Sequence, residues 1–306
     1  MANTKITIVG DIINNAYGRA RKAFTDRNLE GFQAIARSQR DHDADFLDVN
    51  IDGTQVLHVR LPEMLAFLPD LIPALQEATD LPLCFDNPSL EFHQVALEHY
   101  DASKSGRPIL NSIAASREHL DEMIQLVKSY DTLVLVMASE KLVDGESTQC
   151  GNAEEVYRSA KQFTERLVTE ADRSLDQIIL DTGLAPVGAD TYGLVNMGLD
   201  GMKMIRDDKD MQGVHMSVGL SNFAWGTPKD LRHELERAYL ALANPMGLDF
   251  ALANPEKNPQ PLDPSDPLVD KLRNVLEQGR PQDGESQEEA GFRQAASVLN
   301  LMPAVE

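Results

Sequence analysis

Eight short apolar runs punctuate the chain: KITIVG (5–10), DFLDVN (45–50), LPLCFD (81–86), RPILNS (107–112), TLVLVM (132–137), QIILDT (177–182), GVHMSVG (213–219) and LDFALA (248–253). Successive runs are far enough apart for a strand, a loop, a helix and a return loop. Several carry consecutive rather than alternating apolar residues, as strands do when both faces are covered. The intervening segments repeat at helical spacing. Residues 30–42 place Phe32, Ile35 and Ala36 on one stripe, and residues 65–78 do the same with Leu65, Leu68, Leu71, Ile72 and Leu75. Residues 89–99, 117–129, 154–171 and 192–206 read the same way. The next helix, 227–244, opens with Thr227 as N-cap, Pro228 at the first position and Asp230 in the first turn.

Eight strand–helix repeats in about 250 residues fit a (β/α)₈ TIM barrel. A doubly wound open sheet shares the local pattern, but its dinucleotide form carries a glycine-rich turn after the first strand. Here that strand runs into Gly-Asp-Ile-Ile-Asn-Asn, so the α/β barrel is the expectation. The proline-rich stretch 254–267 is an extended connector, followed by an eighth helix at 266–278. The expected division is a barrel over 1–280 and a tail over 281–306. The tail holds a short helix, 290–301, with Phe292, Ala295, Ala296 and Leu299 on one face.

Charge narrows the function. Lys and Arg number 28 against 49 Asp and Glu, a net charge of −21. Phosphate backbones and anionic membrane surfaces both need a basic face, so neither nucleic acid nor membrane is an expected partner. No apolar run reaches transmembrane length. Two cysteines, Cys84 and Cys150, make no disulfide framework, and a cytoplasmic protein is expected.

In barrels the chemistry lies at the C-terminal strand ends. There the runs deliver Asp11, Asn14 and Asn15; Asp48 and Asn50; Asp86 and Asn87; Asn111 and Ser112; Ser139 and Glu140; Asp181; Ser221 and Asn222; and Asn254. Acids and amides recur, without lysine or arginine. Such a ring can cap the following helices. It can equally hydrogen-bond a planar heterocycle that offers both donors and acceptors, such as an aminopyrimidinone. No CxxC, HExxH or closely spaced His pair supports a metal, and no P-loop occurs. His215 lies inside the seventh run and reads as a hydrogen-bonded core residue. Trp225 either covers a ligand or closes the barrel mouth.

DIINNAYG, DADFLDVNIDG, LPLCFDNPS, PILNSI, LDTGLAPVGADTYG, GVHMSVGLSNFAWGTP and MGLDFALANP stand in order along residues 5–280. In these motifs the chain resembles the pterin-binding methyltransferase family: methyltetrahydrofolate:corrinoid protein methyltransferases and the folate module of cobalamin-dependent methionine synthase. These share the dihydropteroate synthase-like barrel. The resemblance implies methyl transfer between N5 of 5-methyltetrahydrofolate, or tetrahydrofolate, and the cobalt of a corrinoid (cobalamin) carried by a partner protein. It also implies a homodimer. Asp86, Asn111 and Asp181 would hold the pterin's pyrimidinone edge, and Asp48 and Asn50 would border the pocket. Asn222 would lie against N5 as the catalytic group, with Ser221 setting it. No metal would be bound by the chain itself.

Residues 139–157 depart from the Gly/Pro-containing segment the resemblance implies, and Phe223 and Trp225 make the loop around Asn222 unusually aromatic. Dihydropteroate synthase is the alternative enzyme. It would require a basic motif where this chain reads GLSNFAWG. A non-catalytic pterin-binding or corrinoid-docking protein is the alternative of another class.

Overall fold

A computed structural model describes residues 5–301; residues 1–4 and 302–306, the outer ends of the expected barrel and tail, lie outside the described residues. All eight apolar runs form parallel strands: β1 (Thr7–Asn14), β2 (Phe46–Asn50), β3 (Leu83–Asp86), β4 (Ile109–Ile113), β5 (Leu133–Met137), and, beyond a hairpin, β8 (Ile178–Asp181), β9 (His215–Ser217) and β10 (Phe250–Ala253). The hairpin, β6 (Glu140–Val143) with β7 (Glu146–Gln149), occupies the segment that departs from the expected pattern. Around the sheet the order is β10-β1-β2-β3-β4-β5-β8-β9. Neighbours in space are thus neighbours in sequence, which a doubly wound sheet with its switch point does not allow. The ring closes between β9 and β10, where the N–H groups of Asp249 and Leu252 donate to the carbonyls of Met216 and Val218 at 3.2 and 3.0 Å.

The helices are α1 (Gly18–Thr25), α2 (Leu29–Asp41), α3 (Leu61–Ala78), α4 (Leu90–His99), α5 (Ala102–Ser105), α6 (Leu120–Ser129), α7 (Ala153–Glu170), α8 (Leu194–Asp207), α9 (Lys229–Ala243), α10 (Pro267–Gln278) and α11 (Gln287–Val298). Two hydrophobic clusters result. The large one lies between helices and sheet and includes Phe32, Leu68, Phe92, Ile124 and Phe163. Each such side chain contributes roughly 1.5–3 kcal/mol by burial. The small one contains Val9, Cys84, Ile109, Leu135, Ile179 and Phe250, all from strands, and fills the barrel.

Two helix expectations need correction. Thr227 does not cap α9, because its hydroxyl turns back to the Ala224 carbonyl at 2.6 Å and the helix starts at Lys229. In α11 the buried face is Ala290, Gly291, Gln294 and Val298, while Phe292, Ala296 and Leu299 are exposed. Ser286 caps it in a capping box with Glu289, four residues before the expected start. A glycine and a glutamine face inward because the neighbouring surface is bare backbone.

Candidate functional site

Strand alternation builds the site. On β2 the inward positions are Phe46, Asp48 and Asn50, on β3 Cys84 and Asp86, on β4 Ile109 and Asn111, on β8 Ile179 and Asp181, and on β1 Val9 and Asp11. Each of these five strands therefore enters the barrel with an apolar residue and leaves it, two positions later, with a polar one. The barrel core is apolar below and acidic at the mouth.

Asp48, Asn50, Asp86 and Asn111 come together on three adjacent strands. Asp86 and Asn111 are register partners, and Asn50 Nδ2 donates to Asp86 Oδ2 at 2.9 Å. Asp48 is 1% exposed, and its Oδ1 has no hydrogen-bond partner. Burial, then the charges of Asp86 and Asp11, push its carboxyl well above the usual range, although Cys84 and Asn111 hydrogen-bond it. Burial also raises Asp86, opposed by the Asn50 hydrogen bond and the Arg117 guanidinium. Asp181 lies across β5 on β8, and burial pushes it up to about 6 against hydrogen bonds from the Gly183 and Gly219 amides. The Gly183 bond is 2.8 Å.

Ser221 and Asn222 occupy a single 3-10 turn, Leu220–Asn222, directly after β9. The turn is tight: a Cβ on Gly219 would stand 3.0 Å from Asn222 Nδ2. Gly219 thus links Asp181 to Asn222, and the Asn222 side chain is exposed at the mouth. Ser221 is held from the other side. Its hydroxyl donates to Asp11 Oδ2 at 2.6 Å, and the Tyr17 hydroxyl donates to Asp11 Oδ1 at 3.0 Å. Asp11 is itself raised by burial. The expected binding set is therefore gathered at one end of the barrel, with Ser221 committed to Asp11.

Two mouth residues, Asp52 and Arg117, escape the strand-end reading, and Asp11 has a role that reading does not give. Asp52 accepts from Asn87 Nδ2 at 2.5 Å and is pushed up to about 6 by burial and by Asp86. Asp11, although a strand-end residue, gives no sign in the sequence that it would clamp Tyr17 and Ser221. Arg117 corrects the expectation of a mouth without cations. Its guanidinium donates to the Ser112 carbonyl at 2.8 Å and hydroxyl at 2.7 Å and faces Asp86. An arginine six positions beyond Asn111 is the only sequence signal for it.

His215 lies at the opposite end, where its Nδ1 meets Asp249 Oδ2 at 2.6 Å. Four mouth loops expose large apolar side chains: Val56 after β2, Val143 in the hairpin, Tyr192 after β8 and Trp225 after β9. Among the described residues no group of three or more His, Cys, Asp or Glu side chains is placed to hold a metal ion. The mouth can thus accept several N–H donors from a flat polar ring, with amides supplying complementary donors.

The family model described as pterin binding enzyme matches residues 11–252. A methylcorrinoid:tetrahydrofolate methyltransferase from Eubacterium limosum is 22% identical over 255 residues, covering 81% of this chain and 84% of the relative. Among solved structures, a dihydropteroate synthase from Coxiella burnetii in complex with pteroic acid superposes with a TM-score of 0.57 at 20% identity, covering 83% of this chain and 89% of that one. The 7,8-dihydropteroate synthase from Vibrio fischeri ES114 gives 0.57 at 14% identity, with 90% and 100% covered. These neighbours share the barrel.

Proposed function

Since the chain belongs to the pterin-binding enzyme family, we propose that it transfers a methyl group between N5 of tetrahydrofolate and the cobalt of a corrinoid carried by a partner protein. The carrying observation is the mouth constellation: buried Asp48, Asn111 and Asp181 with Asp86, flanked by exposed Asn222 on the turn that Asp181 and Asp11 anchor. The name of the 22%-identical relative supports the same reaction.

Asp86 and Asp181 accept the N–H donors of the pyrimidinone edge, and Asn111 supplies one donor and one acceptor. Arg117 favours the ionised form of Asp86, which strengthens that hydrogen bonding. In the demethylating direction the N5–CH₃ bond breaks, its electron pair stays on N5, and N5 takes a proton. The methyl group passes to the electron-rich cobalt(I) of the corrinoid substrate. An amine is a poor leaving group, so a hydrogen bond that tightens as charge changes on N5 lowers the barrier. Asn222 fills that role; an amide does not titrate, so the proton itself comes from water or the surrounding network. Apolar Val56, Val143, Tyr192 and Trp225 around an acidic mouth supply a face for the corrinoid-bearing partner.

The test is absorbance spectroscopy with 5-methyltetrahydrofolate and cob(I)alamin, and the reverse with methylcobalamin and tetrahydrofolate. Methyl transfer in either direction is expected. Absence of transfer in both, together with pteroate synthesis from a pterin diphosphate and 4-aminobenzoate, would replace this reading by the synthase one.

A further inference from the structure

Helix α11 lies beyond the stretch that matches the family, yet it reaches the reactive loops. Its Gln294 is fully buried, and Nε2 donates to the Val187 carbonyl at 3.0 Å. Val187 lies in the loop that follows Asp181, and its own N–H donates to the Phe223 carbonyl at 2.8 Å. Phe223 adjoins Asn222 and is fixed from below by the Tyr239 ring, 4.7 Å between centroids. Two hydrogen bonds therefore connect α11 to the turn that carries Asn222.

A second contact is steric. A Cβ on Gly291 would stand 2.7 Å from the Asp190 carbonyl oxygen and 2.7 Å from the Thr191 Cα. The helix rests directly on the backbone of the same loop, a closeness only glycine permits. Asp190 in turn accepts from the Leu194 and Val195 amides at 2.8 and 2.9 Å, starting α8. Gln287 packs over Gly193 and donates to the Gly279 carbonyl at 3.0 Å.

We propose that α11 is a clasp across two mouth loops, and that Gln294 is a positioning residue for Asn222, acting through Val187 and Phe223. The claim about turnover rests on the methyl-transfer reading; the claim about loop position does not. A glutamine buried against a carbonyl is costly unless that bond is made, so its presence on the inner face needs a partner with a role. The partner here is the loop beside the reacting nitrogen.

Trp225 is the sole tryptophan, is 70% exposed, and donates its backbone N–H to the Asn222 carbonyl at 3.2 Å. Its fluorescence therefore reports the loop. Gln294→Met keeps the side chain's length and removes the donor, and Gly291→Ala keeps every hydrogen-bonding group and blocks the close approach. Both are expected to lower Trp225 anisotropy and increase its quenching by acrylamide. Both should also cut the methyl-transfer kcat about 3–30-fold, with the folate KM little changed. Phe292→Ser, on the exposed face, should leave all of these alone.

Folded variants with unaltered Trp225 signals and kcat would overturn the clasp. Wild-type protein that transfers no methyl group would overturn the functional reading, while Trp225 still judges the clasp. Hydrogen exchange on the unmodified protein decides the matter even if a variant does not fold. The amides of α11 and of Val187 should open together; α11 amides exchanging while Val187 stays protected would sink the proposal.

Discussion

The two ends of the barrel use the same side chain to opposite effect. At the N-terminal end, Asp45 accepts the Ile8 N–H at 2.8 Å and meets Lys5 Nζ at 3.3 Å, while Asp249 accepts the Met216 N–H at 2.9 Å and pairs with His215. Those carboxylates are satisfied by the protein and tie strands together. At the mouth, Asp48 keeps an oxygen without a partner, and Asp11, Asp52, Asp86 and Asp181 are all raised by burial. Arg117 is the cation beside Asp86. Aspartates of the first kind stabilise the fold; those of the second are held by burial at a cost in stability, and Asp48 keeps one acceptor for a ligand's donor.

The largest expected effect falls on the exposed mouth amide. Asn222→Ala should reduce single-turnover methyl transfer on the order of 10²–10³-fold, with the melting temperature and folate Kd close to wild type. Equal loss of stability, binding and rate would show that Asn222 only shapes its turn.

Next come the carboxylates. Asp86→Asn and Asp181→Asn each remove a charge-assisted acceptor and should weaken folate binding by about 1.5–3 kcal/mol without lowering the melting temperature. Calorimetry finding normal affinity in both would contradict the binding assignments. Asp249→Ala should do the reverse. It strands the buried Met216 amide and frees His215, costing about 1–2 kcal/mol of stability with folate affinity intact. If this substitution at the far end weakened folate binding as strongly as the mouth variants, the division between the two ends would collapse.

All eight strands were legible in the sequence, because each is a short apolar run and each candidate polar residue stands at or just beyond its end. Asp48, Asn50, Asp86, Asn111 and Asp181 follow from that rule alone. What escaped was whatever depends on contacts distant in the chain. The Asp11–Ser221 hydrogen bond spans 210 residues, and nothing near either residue announces it. Arg117 was hidden by its place inside an expected helix, whereas α6 starts only at Leu120 and leaves the arginine in the strand-end loop. The β6–β7 hairpin lacks the alternation of a half-buried strand, since β7 is exposed throughout. The inner face of α11 was misread for a related reason. Hydrophobic periodicity selects Phe292 and Leu299, but the surface it meets is backbone, which favours glycine and an amide.

The smallest effect is on pH dependence, and the two ends should give separate windows. Mouth carboxyls are raised in the folded state, so the folded protein holds protons more firmly than the unfolded chain between about pH 4 and about 6, the value reached by Asp52 and Asp181. Their ionisation therefore lowers stability as pH rises through that interval. His215 is raised by the Asp249 hydrogen bond. Its contribution is fully present below about pH 6.5 and is lost as pH rises through its higher folded value. Half-buried Asp208, held down at about 2 by Lys161, has the opposite sign, but it acts only below about pH 4. Buried His93, pushed down to about 4, acts against the mouth carboxyls between about pH 4 and 6.5. The mouth's share of the thermal melts is therefore read by difference from a carboxyl variant, and the decline above about pH 6.5 belongs to His215. Asp181→Asn removes a buried carboxyl pushed up to about 6 and should raise the melting temperature by a few degrees, changing the lower interval alone. His215→Gln should flatten the decline above about pH 6.5 alone. On the proposed pterin binding, which uses the ionised carboxylates, folate affinity should climb over the same interval in which their ionisation costs the folded protein stability. Wild-type and Asp181→Asn melts that keep a constant difference across pH 4–6 would refute the opposition between the two ends.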